Sequence, residues 1–160
     1  MNLLTNKGFA GSISFFMILV AVFGLGGNRL AREQQSALES RSGLFEQIEI
    51  IWGQGRNVGF VMENPLLEEN LEALRRAKDE NDLPGLYHYT NLTVREIDRL
   101  FNEADENLVY ITGNVIAAFN LINLNDYNQR AAEFNALLEG LVPRLIAGIR
   151  GIEPLELFAE

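Results

Sequence analysis

Residues 9 to 27 read FAGSISFFMILVAVFGLGG, nineteen consecutive positions without a charge. As an α-helix this stretch rises about 28 Å, close to the roughly 30 Å hydrocarbon core of a bilayer. Nine of the residues from Ile13 to Leu25 are Ile, Leu, Val or Phe. At about −0.3 to −0.6 kcal/mol each they supply roughly −3 to −5 kcal/mol of insertion free energy before the glycines and serines weaken it. Inside a soluble bundle such a segment would be a buried core helix. Near the first residue, after the lone Lys7, it is expected to be a retained signal anchor. A cleaved secretory signal processed near Gly24 and Gly26 is the alternative, although the usual Ala-x-Ala pattern is absent. Lys7 flanks one end and Arg29, Arg32 and Arg41 flank the other, which leans by a small margin toward a cytoplasmic C-terminal part and leaves orientation open.

Charge then restricts partners. The 160-residue chain has a formal charge of −9, and residues 28–160 hold 12 cations against 22 acids. An acidic body repels phosphate backbones, so no nucleic-acid partner is expected. The absence of cysteine removes disulfides, thiolate metal sites and a thiol nucleophile.

The remainder carries helical periodicity. Leu44, Ile48, Ile51, Gly55, Val58 and Met62 follow a 3,4 spacing, the pattern of a helix that faces another helix. Gly53, Gly55 and Gly59 in that region are expected to permit close approach of a neighbour. Asn64-Pro65 breaks the segment, with Pro65 suited to a first helical position. Leu67, Leu71 and Leu74 form one face of the next helix, and the loop KDENDLPG is expected to close it. Thr93-Val-Arg-Glu96 fits a capping box. From it, Val94, Ile97, Phe101, Ala104, Leu108, Ile111, Val115, Ala118 and Ile122 alternate 3,4 steps, which predicts one helix of about 43 Å. Asn125-Asp126 interrupts the pattern; Tyr127, Ala131, Phe134, Leu138 and Leu141 resume it as far as Pro143. No segment shows strand alternation with hairpin signals. The expected fold is all-α: an N-terminal transmembrane helix followed by an antiparallel bundle of about four helices. The expected organisation is a polar N-terminus (1–8), a transmembrane signal anchor (9–27) and a helical bundle domain with a docked C-terminal tail (28–160).

The last third carries the most specific pattern. Tyr127-Asn128 is repeated seven residues later as Phe134-Asn135; Pro143, Leu145-Ile146-Ala147-Gly148, Gly151, Pro154 and Phe158 follow. Asn128 and Asn135 share one stripe of a helix, placed to bond facing backbone or each other. Pro143 is expected to end its helix, after which Leu145, Ile146 and Ile149 would fold back over the bundle end. Gly148 and Gly151 would supply the turns. Leu155, Leu157 and Phe158 would then cover apolar surface, the alternative being a tail on a membrane or a partner. This C-terminal pattern resembles the LemA family, with an aromatic-Asn pair repeated after seven residues and a segment like FPSNLIAGLFGFKP ending in an aromatic. The layout is similar too: a short polar start, one apolar span, then a long helix. EQIEIIWGQGRNVGFVM stands where that family has a helix like VDVQLKRRADLIPNLV, without its basic pair and Ile-Pro. The resemblance implies a bacterial inner-membrane, single-pass protein with an accessory or scaffolding role and no established reaction. A second, shorter similarity is Lys7-Gly8-Phe9, the processing context of type IV prepilins, but Ile13 stands where they typically carry Glu.

Reaction chemistry is not legible. His88, the only histidine, is read as a loop residue between Tyr87 and Tyr89, structural or solvated, and the Glu-x-x-His pairs of di-iron bundles are absent. Glu68, Glu69, Glu72, Asp79, Glu80 and Asp82 read as a wet helix face and loop, and their spacing does not fit an EF-hand. Asn91-Leu92-Thr93 matches a glycosylation sequon, which has meaning only in a eukaryotic secretory route. Trp52 falls beside the apolar seam and is expected to pack there. No catalytic, cofactor-binding or metal residue is assigned, and no cofactor. The expected partners are membrane lipid through residues 9–27 and, through helix faces, a protein or a second copy.

Overall fold

A computed structural model describes residues 7–101 and 109–158. Among them are six helices and no strand: α1 (Lys7–Met62), α2 (Pro65–Asp79), α3 (Leu83–Phe101), α4 (Val109–Asn123), α5 (Tyr127–Leu138) and α6 (Leu141–Arg150). The all-α expectation holds. The apolar start and the first bundle helix are not separate elements, however: α1 is one 56-residue helix, roughly 84 Å long at ~1.5 Å per residue.

Four rods run side by side along the distal part of α1. The first is α1 itself, whose Leu44, Ile48, Ile51, Gly55 and Val58 are buried as the 3,4 pattern requires, with Met62 half-buried. The second, α2, starts where Asn64-Pro65 breaks the chain. Asn64 caps it by accepting from the Leu67 N–H at 2.8 Å, Pro65 occupies the first helical position, and Leu67, Leu71 and Leu74 are buried. Leu71 and Ile97 close on Gly55, where a β-carbon would come within 2.9 Å of Leu71, and Leu67 lies against Gly59; Gly53 faces open space.

The third rod, α3, corrects three expectations. The loop before it is only residues 80–82, because Leu83-Pro84-Gly85 forms the first turn of the helix. Asp82 Oδ1 accepts from the Gly85 N–H at 2.9 Å, and Pro84 is tolerated because first-turn N–H groups have no intrahelical partner. Asn81, in the left-handed region at φ 60°, helps reverse the chain, and Arg41 on α1 donates to its side-chain oxygen. Thr93 therefore lies inside α3, fully buried, and is not a cap; Glu96 bonds elsewhere. His88 lies on a helix too, exposed and edge-on to Tyr89 at 5.1 Å between ring centres.

The expected single helix from Val94 to Ile122 is also corrected. Ala104 and Leu108 fall outside the described residues. On either side, Ile97 of α3 packs by Gly55 while Asn114 of α4 lies beside Gln54. In one straight rod those two residues would stand about 25 Å apart. Instead α3 and α4 run in opposite directions along the same stretch of α1. Val115, Ala118 and Ile122 are buried as expected, and α4 descends until Asn125 donates to the Ser40 carbonyl at 2.9 Å. The fourth rod continues as α5, with Tyr127, Ala131, Phe134 and Leu138 inward. The chain turns before Leu141, which starts α6 and is 80% exposed.

The core lies in two packed groups. The larger joins α1 to α4, Tyr127 and Phe158; the smaller gathers Leu30, Phe134, Leu138, Ile146 and Ala147, and Leu155 borders both.

Candidate functional site

Three regions of the surface are built differently from the rest. The first is the start of α1. From Ser12 to Val22 every side chain is exposed, including Phe15, Phe16, Met17 and Ile18 at 61–67%. The helix is long and apolar enough to cross a membrane, and only 11% of its most apolar window is buried. A core helix of the same composition would be mostly buried.

The second is a collar where α6 meets α1. Ile146 sits over Gly26 and the Arg150 guanidinium lies directly on Gly27, with Arg150 Nη2 3.5 Å from the Phe23 carbonyl. A β-carbon on Gly27 would collide with that guanidinium. Thus the last residues of the 9–27 segment are covered by the C-terminal helix. The sequence showed the glycines but not their occupant. Pro143 does not stop a helix; it is the third residue of α6, where its missing N–H costs nothing. Of the three residues expected to fold back, Ile146 is buried while Leu145 and Ile149 are exposed. Gly148 is helical, and Gly151 at φ 64° makes the left-handed cap expected of a glycine.

The third is a clasp that holds the tail. Asn135 makes two bonds to one residue: its Nδ2 donates to the Leu155 carbonyl and its Oδ1 accepts from the Leu155 N–H, both at 2.8 Å. One stripe position earlier, Asn128 Oδ1 accepts from the Phe158 N–H at 2.7 Å. The Tyr127 hydroxyl donates to the Glu156 carbonyl at 2.6 Å. An extended tail has no ladder of its own, so these side chains satisfy backbone groups that burial would otherwise leave unpaired. Phe158 is buried and meets Tyr87 of α3 edge-on at 5.5 Å. The tail is docked, and the two asparagines bond backbone as one of their expected arrangements required. Burial raises the Tyr127 pKa, which keeps its hydroxyl a donor.

Two carboxylates join the rods at opposite ends of the bundle. Glu96, nearly buried on α3, accepts from Asn64 Nδ2 at 3.0 Å and from Arg99 Nε and Nη2 at 3.1 and 2.6 Å. The bonds from Arg99 lower its pKa despite burial. The same Asn64 caps α2, so one carboxylate fixes the α1–α2 turn to α3. At the other end Asp126 accepts from Ser40 Oγ and Arg130 Nε, each at 2.6 Å, and these bonds hold its pKa down, Ser40 first.

An open groove of about 350 Å³ runs between α1 and α2, lined by Trp52, Arg56, Phe60, Glu68, Glu72 and Arg75 among others. Arg56 lies over the Trp52 ring at 5.0 Å, a cation–π contact. Trp52 is half-buried, packing on the core as expected while lining this groove. The acids Glu68, Glu69, Glu72, Asp79, Glu80 and Asp82 are all exposed. Among the described residues no three His, Asp or Glu converge to hold a metal.

Comparison with protein-family models, with curated proteins and with solved structures finds no match.

Proposed function

We propose that this chain is a non-enzymatic, single-pass protein of a bacterial inner membrane, similar to LemA proteins, and that it serves as a membrane-anchored scaffold or accessory protein. The observation that carries the reading is the exposed apolar surface from Ser12 to Val22 at the head of a helix whose later part is packed in the bundle. Water penalises that surface, whereas a bilayer takes it up. The span carries no acidic or basic residue from Gly8 to Asn28. Because α1 runs on without a break, the bundle stands directly on its anchor. Support for the family resemblance comes from the clasp: Tyr127, Asn128, Asn135 and Phe158, which carry it in the sequence, form one connected unit with Leu155 and Glu156. A scaffolding role rests on the helix faces that the bundle leaves apolar. Phe60, Val61 and Leu66 are exposed at the far end, beside the Trp52–Arg56 groove, and offer contacts to a protein partner or a second copy.

The test is fractionation of the full-length chain: it stays with membranes through an alkaline carbonate wash, and release into the supernatant contradicts the anchor. A second reading rests on Lys7-Gly8-Phe9, a pilin-like or exported filament subunit cut after Gly8. The mass of the mature protein separates the two, since an N-terminus at Phe9 supports processing and an intact N-terminal segment supports the anchor.

A further inference from the structure

α6 carries two apolar faces, and the bundle uses only one. Ile146 and Ala147 are buried against Leu30, Phe134 and Leu138. Leu141, Val142, Leu145 and Ile149 are 80%, 44%, 55% and 73% exposed. At ~100° per residue those four fall within about 100° of arc, so they form one continuous stripe. α6 itself meets the end of the apolar segment of α1: Ile146, next to Leu145 in sequence, covers Gly26, and Arg150, next to Ile149, reaches the Phe23 carbonyl. Charge at this level departs from the rest of the chain. Residues 23–32 and 140–152 contain Arg29, Arg32, Arg144 and Arg150 and no acid, in a protein with 22 acids and 13 Lys and Arg. Glu33, Glu139 and Glu153 stand just outside these limits.

We infer that α6 is a second membrane contact, an interfacial helix whose Leu141, Val142, Leu145 and Ile149 enter the headgroup–acyl boundary of an anionic bilayer. Helices of this type bury an apolar face about 5–10 Å into that boundary and place cations at the headgroups. The stripe supplies the first property and the four arginines the second. The inference rests on the anchor reading and adds orientation to it. A lone span lets the bundle tilt and swivel; a helix held in the interface beside the span fixes which side of the bundle faces lipid. It also accounts for apolar residues left outward on a helix that is firmly packed on its other side.

The chain has no cysteine, so single nitroxide labels can be placed on the full-length protein in nanodiscs of mixed phosphatidylcholine and phosphatidylglycerol. Labels at Leu145 and Ile149 are expected to be accessible to oxygen and shielded from a water-soluble nickel complex, like a label at Phe16 and unlike one at Gln129. In phosphatidylcholine alone, the shielding at Leu145 and Ile149 should decrease while that at Phe16 is unchanged. If Phe16 is shielded but Leu145 and Ile149 match Gln129, the interfacial helix is wrong and the anchor stands. Low exposure of Leu145 and Ile149 to both reagents means a protein surface covers them, which also overturns the inference. Should Phe16 itself be open to nickel, the anchor fails and the inference with it.

Discussion

The two halves of α1 are built from the same kinds of side chain and treat them in opposite ways. Between Ile13 and Leu25 most Ile, Val, Leu and Phe face outward; between Leu30 and Val58 the seam residues Leu44, Ile48, Ile51 and Val58 are buried to 2% or less. Charge already separates the halves, since residues 9–27 carry none and residues 29–58 carry both Arg and Glu. Spacing separates them too: the second half buries one 3,4 stripe of apolar residues with Glu, Gln and Arg around it, whereas the first is apolar on every side. A stripe calls for neighbouring helices, and an all-round apolar surface calls for a uniformly apolar solvent. The collar of Gly26 and Gly27 under Ile146 and Arg150 marks the level at which one regime gives way to the other.

The largest effects should separate the halves by location. Phe134→Ala removes a buried ring that packs with Leu30 and Ile146. It is expected to destabilise the bundle by about 3–5 kcal/mol, read from denaturant unfolding, with membrane retention of the folded chain unchanged. A bundle that unfolds no more easily would show that the lower half does not depend on this packing.

Next in size is the clasp. Asn135→Ala deletes both bonds to Leu155 and leaves its partly buried backbone groups short of partners, at about 1–3 kcal/mol. Limited proteolysis should then cut within residues 152–158 faster than in the wild type. Equal rates would mean that Tyr127, Asn128 and Phe158 hold the tail without Asn135.

The third effect depends on pH. Folding lowers the pKa of Glu96 and of Asp126. A carboxylate lowered on folding contributes stability above its unfolded pKa and loses it as pH falls through the folded value. Acidification through and below the ordinary carboxylate range should therefore lower the unfolding midpoint, and Glu96→Gln should reduce that dependence. A steeper dependence in the Gln variant would contradict the assigned bonds.

The smallest effect has the opposite sign. Thr93 is fully buried on α3, and its hydroxyl has no hydrogen-bond partner among the described residues. Thr93→Val keeps the shape and removes the unpaired group, so the bundle should gain about 1 kcal/mol. A loss of that size would reveal a partner for the hydroxyl.

Much of the fold was legible because helices declare their inner face by period. Leu44 to Val58, Leu67 to Leu74 and Tyr127 to Leu138 all lie on the expected sides. The failures share a cause: local signals that have two structural uses. Leu83-Pro84-Gly85 has the composition of a turn, yet proline and glycine also fit a first helical turn once Asp82 caps it. Pro143 has the same double use: it reads as a terminator, yet it is an early residue of α6. Across 102–107 the apolar steps kept phase through the polar run NEADEN, whose Asn and Asp content is that of a connection. In α6, two apolar faces compete and the sequence does not say which turns inward; the partner surface around Leu30, assembled from distant residues, decides. The Asn128–Asn135 stripe was visible, but its partner, the backbone of Leu155 and Phe158, becomes visible only when the tail is placed beside it.

The central claim is that one unbroken helix passes from lipid into a packed bundle. Single cysteines along α1 of the full-length protein in nanodiscs, whose two faces are both open to solvent, probed with a charged maleimide, test it most directly. Positions Phe15 to Val22 should stay unreactive in the bilayer and become reactive once denaturant unfolds the chain, while the exposed positions Arg29, Ala31 and Arg32 react in both. Ready modification across Phe15 to Val22 in the intact bilayer would contradict the claim.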